Sequence, residues 1–266
     1  MITDFILSAV VAARAKRTPC ATITVAATTG SVPRSIGAKM LVYLNGETIG
    51  TIGGGKLESL AVGVAFECIG SGQPLLKTYP LREDEPDSFG AICGGEVTLF
   101  FEPIARKEAL FLIGAGHCAR AIAKLAADCD FHVSIIDERA DELALCDMAH
   151  EKIQRAPAEF ISSRDWKSDD ALILVSRNFL GDQDALAAIL TRPLPGYVGM
   201  IGSRRKVLHV FDELRRQGCN SDLLARVHAP IGLDIGADSP IEIAISVLAE
   251  VMLVLRGRSG SHLSLR

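Results

Sequence analysis

Ala109-Leu110-Phe111-Leu112-Ile113-Gly114-Ala115-Gly116-His117-Cys118-Ala119 is the stretch on which the fold turns. Five apolar residues run into a glycine-rich turn, and a helical stripe follows at Cys118, Ile122, Leu125, Ala126 and Cys129. Strand, turn and helix in that order spell the dinucleotide fingerprint G-x-G-x-x-[GA]. Its glycines let the backbone approach a pyrophosphate at the helix N-terminus. Asp137 closes the next apolar segment, 23 residues after Gly114, where such a unit places the acid that holds a ribose 2′-hydroxyl. A helix that needs small residues for close packing would carry the same glycines. The motif therefore speaks for Rossmann topology more directly than for a ligand.

Working outward, Ala109 to Ile113, His132 to Ile136, Ala171 to Val175 and Tyr197 to Ile201 read as short strands with helices between them. Such alternation predicts parallel βαβ units with right-handed crossovers. The helix from Val207 repeats a single apolar stripe at residues 207, 210, 211 and 214. Ser239-Pro240-Ile241-Glu242 combines a capping box with proline at the first helical position. Only Glu242, Ser246 and Glu250 interrupt the apolar run that follows, so this last helix is expected to be buried on most sides, against the sheet and a second domain or subunit.

Before residue 106 the rhythm differs. Thr3-Asp4 can cap a helix running to about Arg17, and Ala21 to Ala27 reads as a buried strand. Lys39 to Leu44 and Glu47 to Ile52 flank Asn45-Gly46, the signature of a type I′ hairpin turn. Leu57, Leu60, Ala61, Val64, Ala65 and Cys68 form one face of a helix ending near Gly70-Ser71-Gly72. Pro80 to Phe89 is an acidic loop, Val97 to Phe101 a closing strand, and Glu102 to Lys107 a linker. The expected architecture is α/β: a small N-terminal α+β domain over residues 1–105 and a Rossmann-like parallel-sheet domain over 106–266.

Composition narrows the function classes. The 266 residues are 48% hydrophobic and 23% charged, which excludes disordered and fibrous classes. With 28 basic and 32 acidic residues the formal charge is −4, so no field attracts nucleic acid or anionic lipid. Seven cysteines without a C-x-x-C pair do not make a disulfide framework. No basic signal region opens the chain, and neither Phe5 to Ala13 nor Ile241 to Leu255 suits a bilayer span. A cytoplasmic protein is expected, with no membrane and no nucleic-acid partner.

Three further loops carry candidate chemistry. Gly30-Ser31-Val32-Pro33-Arg34 to Lys39 follows a strand, and Thr51-Ile52-Gly53-Gly54-Gly55-Lys56-Leu57-Glu58 feeds a helix. Exposed amides at a glycine-rich helix start, with Arg34 as a two-pronged donor, suit an anion, although tight turns alone would explain either loop singly. Cys93-Gly94-Gly95 is sterically open, and its thiol is either a ligand for metal or sulfur or a buried structural residue. Gly202-Ser203-Arg204-Arg205-Lys206 puts a cap and three cations at the carboxyl end of a parallel sheet, as a ligand site or as a solvated helix start. The six histidines show no zinc-ligand spacing, so no protein-built metal site is expected.

These segments, with Val198 to Lys206, His228-Ala229-Pro230-Ile231-Gly232-Leu233-Asp234-Ile235-Gly236-Ala237 and Pro240 to Ala244, resemble the XdhC/CoxI family of xanthine dehydrogenase accessory proteins. The resemblance runs over nearly the whole chain and keeps the family's order. It implies a CoxI-type domain joined to a Rossmann domain, and a protein that binds molybdenum cofactor (molybdopterin), protects its sulfurated form and delivers it to a molybdenum hydroxylase apoenzyme such as xanthine dehydrogenase. Such proteins are chaperones rather than catalysts, and a cysteine desulfurase is a further implied partner. Carried over by position, Gly30, Ser31, Arg34, Lys39 and the turn Gly53, Gly54, Gly55 would line an anion pocket, with Glu58 orienting the turn. Cys93 and Gly94 would lie near the metal or its terminal sulfur. Gly114, Gly116, Asp137, Gly202, Ser203 and Arg204 complete the cofactor-binding candidates. Where many relatives carry Thr-His after the strand at 171–175, this chain reads Ser176-Arg177-Asn178, which leaves no histidine for a ligand or base there.

Two rival functions use the Rossmann domain alone: an NAD(P)-dependent oxidoreductase, or a module sensing NAD(P) or another nucleotide. The Tyr-x-x-x-Lys pair of short-chain dehydrogenases is absent, since Tyr43, Tyr79 and Tyr197 are not followed by Lys four residues on. The apolar last helix predicts a homodimer, which a monomer mass in light scattering would refute.

Overall fold

The computed structural model describes residues 2–81, 95–104, 107–176 and 179–264. The chain divides into two compact units, Met1–Lys107 and Glu108–Arg266.

The first unit runs α1 (Ile2–Ala15), β1 (Cys20–Thr29), β2 (Lys39–Tyr43), β3 (Thr48–Gly50), α2 (Gly55–Ser71), β4 (Leu75–Pro80) and β5 (Glu96–Ile104). Its sheet is antiparallel in the order β3-β2-β1-β5-β4. Period-2 alternation sorts β2 between two layers. Met40 and Val42 pack in the core that holds Leu57, Ala61, Val64 and Ala65 of α2, whereas Leu41 packs with Ile6 and Ala13 of α1. The α2 stripe matches the sequence pattern except at Leu60, which is 43% exposed. The helix α1 stops at Ala15, and Arg17 turns the chain with a φ of 53°.

The hairpin loop differs from the expected two-residue turn. Tyr43 donates to the Glu47 carbonyl at 2.9 Å and Gly46 to the Tyr43 carbonyl at 2.9 Å, which encloses three loop residues. Only Gly46 has a positive φ, and the Asn45 side chain accepts from the Glu47 amide at 3.1 Å. This is a type I turn followed by a left-handed glycine. The stretch read as a linker is in part strand, since β5 continues to Ile104.

The second unit runs β6 (Ala109–Ile113), α3 (His117–Asp128), β7 (His132–Asp137), α4 (Ala140–Ala144), β8 (Glu151–Gln154) and α5 (Pro157–Ser162). It continues with β9 (Asp170–Leu174), α6 (Phe179–Leu190), β10 (Tyr197–Met200), α7 (Arg204–Arg216), α8 (Ser221–Leu224) and α9 (Pro240–Leu255). The five strands are parallel in the order β10-β9-β6-β7-β8, the Rossmann order, which reverses direction between β6 and β9. Both faces are covered. Leu110, Leu112, Val133 and Ile135 pack toward α3 and α9, and Phe111, Ile113, Leu172 and Leu174 toward α5, α6 and α7. Beyond β10, His228 donates to the Val198 carbonyl at 2.9 Å and Met200 to the His228 carbonyl at 3.0 Å, adding one more parallel bridge at the sheet edge.

The last helix keeps its capping box, with Ser239 and Glu242 reciprocally bonded. Ala244, Val247, Leu248 and Val251 are buried, while Ile241 and Ile245 are about half exposed. Among the described residues no helix is long and apolar enough to cross a membrane.

Candidate functional site

The reversal of strand order between β6 and β9 opens a crevice at the carboxyl ends of the strands, where open α/β sheets bind ligands. A cavity of about 320 Å³ lies there, lined by Gly114, Asp137, Glu138, Arg139, Ser176 and Gly181 among others. Gly114 has a φ of 111°, and a Cβ on it would come 3.1 Å from the Ser176 Cα and nitrogen, so a side chain on the turn that opens the crevice would be strained and crowd that backbone. Gly116 caps α3 with no side-chain hydrogen bond, and a Cβ there would meet nothing within 4 Å.

Asp137 is 7% exposed at the end of β7 and accepts from the Ala115 amide at 2.8 Å. The guanidinium of Arg139 grips both of its oxygens, at 3.0 and 2.8 Å. Burial alone would raise the Asp137 carboxyl. The Arg139 side chain and the amides of Arg139 and Ala115 outweigh it and hold the group below the ordinary aspartate range. Arg139 is a feature that the fingerprint does not mark; an arginine two residues past the motif's acid was its available signal.

On the other flank, Ser176 donates to Asp182 at 2.6 Å, and Lys206 reaches the second oxygen of the same carboxylate at 2.5 Å. Asp182 is fully buried, and desolvation pushes its carboxyl up against the opposing pull of Lys206 and Ser176. One aspartate of α6 thus ties the end of β9 to the start of α7. Ser203 caps α7, its hydroxyl accepting from the Lys206 amide at 3.3 Å. Arg204 is exposed. Gly202 adjoins Lys206, whose Cδ would lie 2.9 Å from an added Cβ. Lys206 is thus held by Asp182 rather than offered with Arg204 as a free cation.

A second polar cluster lies under the segment from His228. The Tyr197 hydroxyl donates to Glu250 at 2.5 Å, the Gly232 amide to the same oxygen at 2.8 Å, and His228 Nδ1 lies 3.5 Å from the other oxygen. The Tyr197 and His228 rings stack with centroids 4.6 Å apart. Burial, reinforced by the adjoining carboxylate, pushes the Tyr197 hydroxyl well above its ordinary range. Burial works against the ionised Glu250, but the His228 and Tyr197 side chains and the Gly232 amide hold its carboxyl low. Ser246 donates to the Leu233 carbonyl at 2.6 Å. Ser246 and Glu250 of α9 therefore form the seam that carries residues 228–233.

In the first unit, Glu58 organises the glycine turn. One of its oxygens accepts from the Thr51 hydroxyl at 2.5 Å and from the amides of Ile52 and Gly54 at 2.9 Å each. Burial would raise the Glu58 carboxyl, and these donors together lower it. The two glycine-bearing loops meet, since a Cβ on Gly53 would lie 2.7 Å from Pro33 Cγ. Gly54 and Gly55 face open space, and Gly30, Ser31 and Arg34 are exposed. Gly95 backs onto the first loop, where a Cβ would be 2.4 Å from the carbonyls of Thr29 and Ser31. Cys93 and Gly94 lie outside the described residues, as do Arg177, Asn178 and most of the acidic loop. Lys39 does not join the group. Its position on β2 is on the α1 face of the sheet, and its ammonium donates to Thr24 at 2.7 Å. The alternation of β2, with Met40 and Val42 facing α2, was the signal for this. Among the described residues no cluster of three metal-ligating side chains forms.

Similarity to known proteins extends over both units. Residues 110–251 match the model of the XdhC Rossmann domain, and residues 13–80 match that of the XdhC and CoxI family. The chain is 34% identical over 237 residues to the uncharacterized protein YqeB of Escherichia coli (strain K12), covering 87% of this chain and 42% of that one. It is 30% identical over 156 residues to a probable xanthine dehydrogenase subunit of Bacillus subtilis (strain 168), covering 58% of this chain and 45% of that one. The chain thus spans less than half the length of these relatives. A crystal structure of a xanthine dehydrogenase from Bacillus halodurans superposes with a TM-score of 0.52 at 21% identity over 97% of each chain, a likeness of fold.

Proposed function

The chain belongs to the XdhC and CoxI family, and from that premise we propose that it is an accessory protein that binds molybdenum cofactor, protects its sulfurated form and delivers it to a molybdenum hydroxylase such as xanthine dehydrogenase. The observation that carries this reading is the presence of both family matches, in order, on one chain whose matched segments contain the candidate anion loops.

The residues suit the group. Molybdopterin bears a phosphate, and the first unit offers it the exposed Arg34 and, in the adjoining turn, the exposed Gly55 at the start of α2, the amides of Gly53 and Gly54 being engaged by Thr51 and Glu58. Arg34, with Gly30, Ser31 and Gly55, would hold the phosphate, and Glu58 keeps the turn at Gly53 and Gly54 in shape. The cofactor, when bound, supplies the metal chemistry of the client enzyme; this chain's residues bind, orient and shield it. The reading includes action in the cytoplasm and a cysteine desulfurase as sulfur donor. It also includes a homodimer, supported by half-exposed Ile241 and Ile245 on α9.

Delivery is tested by mixing the cofactor-loaded chain with the apo form of a molybdenum hydroxylase. The expected result is activity restored beyond that given by an equal amount of free cofactor. No gain over free cofactor would refute delivery. The crevice at Gly114 supports a nucleotide as a second ligand, since the cavity, the uncapped start of α3 and the buried acid of β7 coincide there.

A further inference from the structure

The carboxylate at the ribose end of the Rossmann crevice is already full. A carboxylate offers about four lone-pair positions. Asp137 Oδ1 accepts from the Arg139 amide and from Arg139 Nε, both at 3.0 Å, and Oδ2 accepts from the Ala115 amide and from Arg139 Nη2, both at 2.8 Å. A ribose hydroxyl finds no place while the guanidinium stays. Two of the four donors are backbone amides and stay fixed. The guanidinium can leave, because the Arg139 side chain is 56% exposed. Its other partner, Glu142 at 3.5 Å, is also held by Arg120 at 2.9 Å and keeps a cation when Arg139 moves.

Charge decides what can enter. Among the described residues, Asp137, Glu138, Asp141 and Glu142 surround this end, against the guanidinium groups of Arg120 and Arg139. The nearby Arg155 has its guanidinium turned to Glu159 at 3.6 Å and Ser163 at 3.1 Å. A phosphate on the ribose 2′ position would bring further negative charge into an excess of carboxylates, whereas a free hydroxyl brings none and donates to Asp137. The other end of the crevice differs, since α3 has neither a side-chain cap nor an acidic residue in its first turn, which suits the negative charge of a diphosphate.

Resting on the reading of this crevice as a nucleotide site, we propose that it takes a ribonucleoside diphosphate whose ribose 2′-hydroxyl is free, and that Arg139 is the internal occupant which that ribose displaces from Asp137. The full chain, purified free of nucleotide, is titrated calorimetrically with ADP-ribose and with 2′-phospho-ADP-ribose. ADP-ribose binds at least about tenfold more tightly than its 2′-phosphate, a gap of one decade in the dissociation constant. Arg139→Ala tightens ADP-ribose binding, and Asp137→Asn, with its folding checked by a melting curve, weakens it by at least about tenfold. Equal or tighter binding of the 2′-phosphate, weaker ADP-ribose binding in Arg139→Ala, or no binding of either nucleotide would each overturn the proposal. None of these results bears on retention of pterin by the first unit, so the two readings fail separately.

Discussion

Gly114 and Gly116 share a motif but are glycine for different reasons. At Gly114 a side chain would meet the Ser176 backbone at 3.1 Å, in a backbone conformation with φ of 111°. At Gly116 the φ is −70° and the space is open. Gly114→Ala is therefore expected to destabilise the chain by about 1–3 kcal/mol, and Gly116→Ala by less than about 1 kcal/mol, the loss of a favoured N-cap residue. Urea denaturation of both variants checks this; equal losses would show that the close approach at Ser176 is not what selects the glycine. The motif was legible residue by residue, because each glycine and the acid sit at fixed spacing in one local unit. The occupancy of Asp137 was not, since it depends on the path Arg139 takes after the strand ends. Lys39 shows the converse case: the family resemblance groups it with Arg34, whereas the two-residue period of β2 sets it on the face away from α2.

At the level of elements, the strongly periodic segments were recognisable, as were the edge strands β3 and β10, but the edge strands β4 and β8 were not. β4 shows a buried side chain only at Tyr79, and β8, Glu151-Lys152-Ile153-Gln154, is polar throughout but for Ile153. Edge strands of this kind lack the apolar alternation that marks a half-buried strand. Ser246 and Glu250 of α9 were visible as interruptions of an apolar run, but their partners lie in residues 228–233, outside the helix. Glu250→Ala would leave the Tyr197 hydroxyl and the Gly232 amide without their acceptor, at a cost of about 2–4 kcal/mol. The Gly232 amide should then lose its protection from hydrogen exchange, and unchanged protection would contradict the pinning role. The contribution also has a pH signature. Because the folded state lowers the Glu250 carboxyl, its stabilisation is fully present above the unfolded glutamate value of about 4.3 and is lost as pH falls through the lower folded value. The stability gap between the natural chain and Glu250→Gln should narrow in that acid window and stay constant near neutrality.

For the whole molecule, two units with separate cores carry two different candidate sites. The first presents the exposed Arg34 beside a glycine turn held by Glu58, and the second a Rossmann crevice with a saturated acid. Family membership joins them in one chain, and the resemblance of the motifs made that membership legible before any geometry was known. Which unit retains the pterin is decided by purifying the chain from cells that synthesise molybdenum cofactor. Released pterin is measured by fluorescence and molybdenum by mass spectrometry, with Arg34→Ala purified in parallel. Near-stoichiometric pterin in the natural chain, falling at least about tenfold in affinity for the variant through loss of a charge-assisted bond, is the predicted result. No pterin in either protein after reconstitution with fresh cofactor would contradict the account.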